Sequence, residues 1–198
     1  MTTETLNISE AQLVDYSKAQ NEPSWMTELR QKALKLTETL EMPKPDKTKL
    51  RKWDFDTFKQ HHTTGDSYHQ LTDLPKSVKE IIDVENSENL IIQHNNDLAY
   101  TQVSDQAKND GVIIEGLSEA LVNHSDLVQK YFMTKAVNVD EHRLTALHTA
   151  LVNGGIFVYV PKNTVVEHPI QYVVLHDDEQ ASFYNHAIIR SEERRVGK

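Results

Sequence analysis

Ten histidines in a chain without a single cysteine are the residues best suited to chemistry, and metal ligation is what they suggest first. Their spacing argues against it. His61 and His62 are adjacent, so a strand sends them to opposite faces and a helix sets them roughly 100° apart. His142 and His148 lie nearly opposite on a helix, and neither pair has the i, i+4 step of an HExxH site. His168, His176 and His186 fall on successive expected strands and meet only if a β-helix stacks them. These side chains are therefore read as exposed or satisfied by neighbours. Asp177, Asp178 and Glu179 are the other candidates, as a calcium or acid/base cluster. Three adjacent acids in a turn read instead as a solvated corner. A P-loop, a dinucleotide-binding glycine pattern and a G-x-S-x-G elbow are all missing from the sequence. No catalytic, cofactor-binding or metal-ligating residue is assigned, and a single-chain enzyme is not expected.

The elements that would position these residues follow from periodicity and caps. Ser9 is expected to cap a short turn carrying Leu13 and Val14, and Asn21 with Pro23 to start a second helix. Trp25, Leu29, Ala33, Leu36 and Leu40 form its apolar stripe, which Met42, Pro43 and Pro45 end. Trp53, Phe55 and Phe58 read as packed aromatics that fix the following linker. A loop over His61–Tyr68 precedes a short helix from Leu74 to Val84 begun by Pro75. Leu90–Gln93 and Leu98–Val103 make a hairpin around Asn95, Asn96 and Asp97, and Gly111–Ile114 a short strand. Ser118 and Ser125 are expected to cap Glu119–Asn123 and Asp126–Phe132, as two short helices or one bent helix. Asp140 is expected to cap a helix carrying Leu144, Leu147 and Leu151, with Gly154 and Gly155 as its left-handed stop. Ile156–Val160 then reads as a strand buried on both faces, closed by a turn at Pro161, Lys162 and Asn163. Ile170–Leu175 and Ala181–Ile189 are further strands, and pattern alone leaves hairpins or successive sides of a parallel β-helix open.

At 198 residues the chain has room for one domain or two small ones. Its net charge of −9 argues against a general nucleic-acid binder. The basic group Lys44, Lys47, Lys49, Arg51 and Lys52 is interleaved with Asp46 and Asp54 and reads as a solvated linker. No apolar run approaches the roughly 18 residues that cross a bilayer. The N-terminus has no basic stretch leading into an apolar one, so the expectation is no membrane segment, no secretory signal and a cytoplasmic location. Without cysteine the chain forms no disulfide and offers no thiolate to zinc or an iron-sulfur cluster.

Two strings carry a more specific signal than their pattern. ALHTALVNGGIFVYVPKNTVVEHPI, from Ala146 to Ile170, resembles the entry into the β-helix of the SufB/SufD family of iron-sulfur cluster assembly proteins. EPSWMTELRQKALKLTETLEMPKPDKTKLRKWDFDTF, from Glu22 to Phe58, resembles that family's N-terminal helical region, and the two occur in the family's order. The lack of cysteine and the wording of the helix-to-strand junction place the resemblance on the SufD side. It implies an α+β fold: a helical region over residues 1–60, a small α/β module over 61–153, and the first coils of a truncated right-handed parallel β-helix over 154–189. It also implies a subunit of a SufB–SufC–SufD scaffold complex, with SufB and SufC homologues as partners. SufC supplies the ATPase and SufB the main cluster scaffold, so cluster and ATP belong to the complex and no cofactor to this chain. The family's implicated SufD histidine falls outside the matched part, so no site residue is carried over. The competing readings are a cupin-like or β-helical metal-dependent enzyme, whose His-x-His pair with a downstream glutamate is absent, and an adaptor binding through its N-terminal helix.

The end of the chain reads differently. Arg190 to Lys198, RSEERRVGK, shifts abruptly from apolar strand to alternating charge and resembles a translated sequencing-library adapter. The expectation is a non-native tail over 190–198 and a fragment that is non-functional alone. Barely one and a half coils then leave an open sheet edge near Ile170–Ile189 with a tendency to aggregate.

Overall fold

The computed structural model describes residues 7–55, 57 and 60–192. Phe58 and residues 193–198 of the tail, on which expectations were placed, lie outside them. Three helices carry the first layer. Ser9 caps α1 (Glu10–Ala19) through a full capping box with Gln12, a longer helix than the expected turn. Pro23, expected inside the first turn, is instead the N-cap of α2 (Ser24–Thr39), so the helix starts after Pro23 rather than at Asn21. The third, α7 (Arg143–Leu151), packs against α2, so Leu13, Ala33, Leu147, Ala150 and Leu151 share one core. The fully buried face of α2 is Met26, Arg30, Ala33 and Thr37, shifted from the Trp25–Leu29–Ala33–Leu36–Leu40 stripe predicted from hydropathy: the two share Ala33, while Trp25, Leu29 and Leu36 pack half-buried at its flank. The shift arises because an arginine and a threonine occupy buried positions that hydropathy alone assigns to solvent.

The rest is α+β. Short helix α3 (Lys76–Lys79), far shorter than the expected Leu74–Val84, leads to β1 (Asn89–His94) and β2 (Asp97–Gln102). The hairpin turns at Asn95, whose positive φ of 52° suits asparagine. Next come α4 (Asp105–Asn109), absent from the sequence expectations, and β3 (Ile113–Gly116). After them stand α5 (Leu117–Asn123) and α6 (Ser125–Tyr131). Gly116 and His124, not Ser118 and Ser125, hold their N-cap positions, and Ser125 instead accepts the Trp25 indole N–H at 2.8 Å. After α7 follow β4 (Gly154–Val160), β5 (Ile170–Leu175) and β6 (Asn185–Ser191). Ala181 makes only an isolated parallel bridge with Gln60, so β6 begins later than predicted.

Two three-stranded mixed sheets result, in orders β2-β1-β5 and β3-β4-β6. Each has one antiparallel and one parallel pair: β1 runs parallel to β5, and β4 parallel to β6. Between the sheets Ile91, Ile114, Ile156 and Val158 form an apolar layer. On the outer face of the first sheet Leu90 and Ile92 meet Leu74, Val78 and Ile82. On the outer face of the second, Phe157 and Ile188 meet Met26, Leu117, Leu121 and Phe132. Strand β1 is buried along its whole length, as a strand packed on both faces must be.

The α7–β4 junction differs in mechanism from the expectation. His142, not Asp140, is the N-cap: its Nδ1 accepts the Thr145 N–H, and the Thr145 hydroxyl accepts the His142 N–H. The helix ends at Leu151 with Val152 in extended conformation, so the glycines are not its left-handed stop. They are strand residues. A Cβ on Gly154 would sit 2.2 Å from the Gln93 side-chain nitrogen, and one on Gly155 (φ +141°) 2.0 Å from the His186 carbonyl oxygen. The expected core role of Trp53 also fails: it is 64% exposed and stacks on Phe55 at 6.0 Å between ring centroids.

Candidate functional site

The densest polar constellation lies where the two sheets, the segment 60–65 and the end of α7 converge. Gln93 enters it from β1. Its side-chain oxygen accepts the Gly155 N–H at 3.0 Å and the Tyr172 hydroxyl, while its amide nitrogen donates to the Asn95 carbonyl at 2.7 Å. The Tyr172 hydroxyl oxygen in turn accepts the Asn185 side-chain N–H of β6 at 3.0 Å. Burial pushes the Tyr172 phenol up to about 12, so it stays a neutral donor. The paired glycines are what let Gln93 approach β4 this closely.

Two asparagines knit the next layer. Asn153, 1% exposed, donates to the carbonyls of His61 and Ser182 and accepts the Tyr184 N–H at 2.9 Å. Asn96 donates to the same Ser182 carbonyl at 3.1 Å and accepts the Thr63 N–H at 2.8 Å. Segments 60–64 and 180–184, irregular in themselves, thus have their buried backbone groups satisfied by amide side chains.

Beneath them lies an ion pair at the helical layer. Arg30, 2% exposed, grips Glu22 through Nε (2.8 Å) and Nη2 (2.6 Å) and donates Nη1 to the Ala150 carbonyl at 2.9 Å. The Ser17 hydroxyl adds a bond to Glu22 at 2.6 Å, and the Tyr16 ring lies 5.0 Å from the guanidinium carbon. Burial raises the Tyr16 phenol further still.

The predicted histidines are dispersed through this frame rather than gathered. His61 donates Nε2–H to the Leu151 carbonyl at 2.9 Å, and burial pulls its pKa down to about 4. His62 pairs with Asp97 at 2.9 Å, His168 faces Glu88 at 3.6 Å, and His176 packs on Phe183. His148 and His186 do meet, Nε2 to Nδ1 at 2.8 Å, a pairing that helical spacing could not reveal because it joins α7 to β6. Burial holds both below the ordinary histidine range, His148 at about 4. His94, unremarkable in the sequence, bonds Asp177 through Nε2 at 2.8 Å, and that bond depresses the Asp177 carboxyl. Its Nδ1 accepts the Asp66 N–H at 2.8 Å, so the lone pair a general base needs is already committed. Asp177 and Asp178 donate their backbone N–H groups to the Asn95 side-chain oxygen, which makes the acidic corner a capped turn. Among the described residues no three His, Asp or Glu side chains come together as a metal ligand set.

The fold and this polar seam define an α+β protein whose buried amides, ion pair and neutral histidines are spent on joining layers. A family model for the SufBD protein N-terminal region matches residues 11–172, and the chain belongs to that family. It is 44% identical over 95% of its length to the iron-sulfur cluster assembly protein SufD of Bacillus subtilis, covering 43% of that protein. Iron-sulfur cluster assembly SufBD family proteins of Mycobacterium tuberculosis and Pyrococcus horikoshii are each 29% identical, with 93% and 96% of this chain matched. The chain spans less than half the length of these relatives. Among the described residues, no helix is long and apolar enough to cross a membrane.

Proposed function

We propose that this chain is a SufD-type subunit, or the N-terminal part of one, that serves iron-sulfur cluster assembly as architecture rather than as a catalyst. The observation that carries the reading is the 44% identity to a protein named SufD across nearly the whole chain. The polar seam supports it, since its hydrogen-bonding capacity is committed to structure. Its partners are SufB and SufC homologues in the cytoplasm; cluster and nucleotide are held by the complex, and no cofactor by this chain.

The finer fold reading is a right-handed parallel β-helix beginning at β4. Its support is the chain path: β4 in one sheet, β5 in the other, then β6 back beside β4 in parallel, with Gly154 opposite Asn185 and Val160 opposite Ser191. A path of this kind is what one coil of such a helix requires. Helical residues to about 60 and a module to about 153 would form its preface.

Affinity purification of the full-length gene product tests the assembly. Recovery of SufB and SufC homologues in fixed stoichiometry is the expected result. Their absence, together with a tightly bound metal ion on the purified subunit, would instead favour a metal-dependent enzyme.

A further inference from the structure

The basic run Lys44–Lys52 is left unused by the seam, and the structure gives it a neighbour that the sequence did not. Five cations and one carboxylate fall within nine residues of a chain whose net charge is −9. Lys44, Lys47, Lys49 and Lys52 are all exposed. Lys44 pairs with Glu41 at 2.8 Å, whereas among the described residues Lys47, Lys49 and Lys52 make no ion pair. The run ends in Trp53, 64% exposed and stacked within 14° of parallel on Phe55. Phe55 is the anchored half of the stack, packing against the α1–α2–α7 core. Beside it opens a groove of about 390 Å³ whose lining includes Phe55, Leu147, Phe183 and Tyr184.

A solvated linker explains the lysines but not the tryptophan. An exposed indole stacked on a second ring is an apolar anchor of the type that dominates protein interfaces. We propose that Lys47, Lys49, Lys52 and the Trp53–Phe55 stack form a docking site for an acidic peptide segment of a partner protein, with carboxylates on the lysines and a large apolar side chain on the stack. Charge complementarity selects the occupant: a local cationic strip on an acidic chain attracts a short acidic segment that touches only the strip. An extended polyanion, nucleic acid or anionic bilayer, meets the chain's overall negative field instead. Asp54 and Glu179 on the groove wall set a polarity, keeping the segment's acids to the lysine side and its apolar residue toward the groove.

The test is a selection. The 198-residue chain, immobilised at low density, is panned against displayed random dodecapeptides, and the best binder is synthesised for titration. The expected result is enrichment of acidic peptides bearing an aromatic residue or leucine. Their affinity falls at least about tenfold in Trp53→Ala and in the triple Lys47→Glu, Lys49→Glu, Lys52→Glu variant. It is largely retained in Trp53→Phe and weakens with salt. Thermal unfolding stays unchanged in all three variants, because the altered side chains are exposed. Enrichment without acidic bias, affinity indifferent to the variants, or tighter binding of single-stranded DNA or phosphatidylserine vesicles than of the best peptide overturns the proposal.

Discussion

His148 Nε2 and His186 Nδ1 stand 2.8 Å apart, one on α7 and the other on β6, and a contact this short requires that one ring donate and the other accept. The pair therefore tolerates two neutral rings and excludes two protonated ones. Arg30, held by Glu22, is the charge that faces His148 from α2, and it disfavours protonation further. Phe132 packs on His186 at 4.8 Å between ring centroids and offers no compensating anion.

Stability should consequently fall as the solution is acidified. In the folded chain the pKa of His148 is depressed from 6.5 to about 4, so the unfolded chain binds more protons between those values. Stability from this residue is complete above about pH 6.5, declines through the window, and is gone below about pH 4. Urea unfolding at a series of pH values should show on the order of 2 kcal/mol of acid loss that the double variant His148→Phe, His186→Phe does not share. Equal pH slopes in the two proteins would refute the assignment.

The buried pair Glu22–Arg30 predicts an asymmetry between single and double replacement. Arg30→Met strands a carboxylate that is 4% exposed and should cost about 3–5 kcal/mol in chemical denaturation. Adding Glu22→Gln to Arg30→Met removes the stranded charge and should recover a large part of that loss. A double variant as unstable as the single one would show that geometry, rather than uncompensated charge, sets the cost.

Two glycines with positive φ are predicted to behave differently. At Gly155 a methyl group would stand 2.0 Å from the backbone oxygen of His186, which cannot yield without breaking the β4–β6 ladder. Gly155→Ala should destabilise by more than about 3 kcal/mol, if it folds at all. At Gly111 (φ +74°) the nearest atom is Pro161 Cγ at 3.7 Å, so Gly111→Ala meets backbone strain alone, about 1 kcal/mol. Comparing the two melting curves separates steric from conformational penalties.

Ile189 stands opposite Val158 in the parallel register, so it faces the layer between the sheets, yet it is 74% exposed. Val165 is 73% exposed. Among the described residues β5 and β6 are the outer strands on this side of their sheets, and outer strands invite pairing. The 198-residue chain should self-associate with rising concentration in analytical ultracentrifugation, and Ile189→Lys should suppress it. Concentration-independent sedimentation of the unmodified chain would contradict this.

Much of the frame was legible because it rests on local signals. Ser9 and Gln12, the Asn95–Asn96 turn and the β-branched run Ile156–Val160 each announce their element within a few residues. The seam was not legible, because its members meet across long separations. Gln93 and Gly155 are 62 residues apart, Asn153 and His61 92, and Arg30 and Ala150 120. The glycine pair was visible but misread as a helix stop, since its reason lies in Gln93 and His186, which nothing local indicates. Arg30 carries no sign of its burial in the sequence, because hydropathy assigns a charged residue to water unless its partner is known, and Glu22 precedes the helix rather than lying on its face.

Long-range pairing also fixes an order of events during synthesis. Strand β1 is complete by His94, but its parallel neighbour begins at Ile170, and α2, finished by Thr39, finds its main helical partner only at Arg143. A ribosome adding about 5–20 residues per second leaves those faces waiting for seconds. During that interval the chain has its hairpin but neither its seam nor its helical layer. The nascent first half is therefore a natural client for chaperones, and its folding should be governed by the arrival of the segment from α7 to β6 rather than by its own helices.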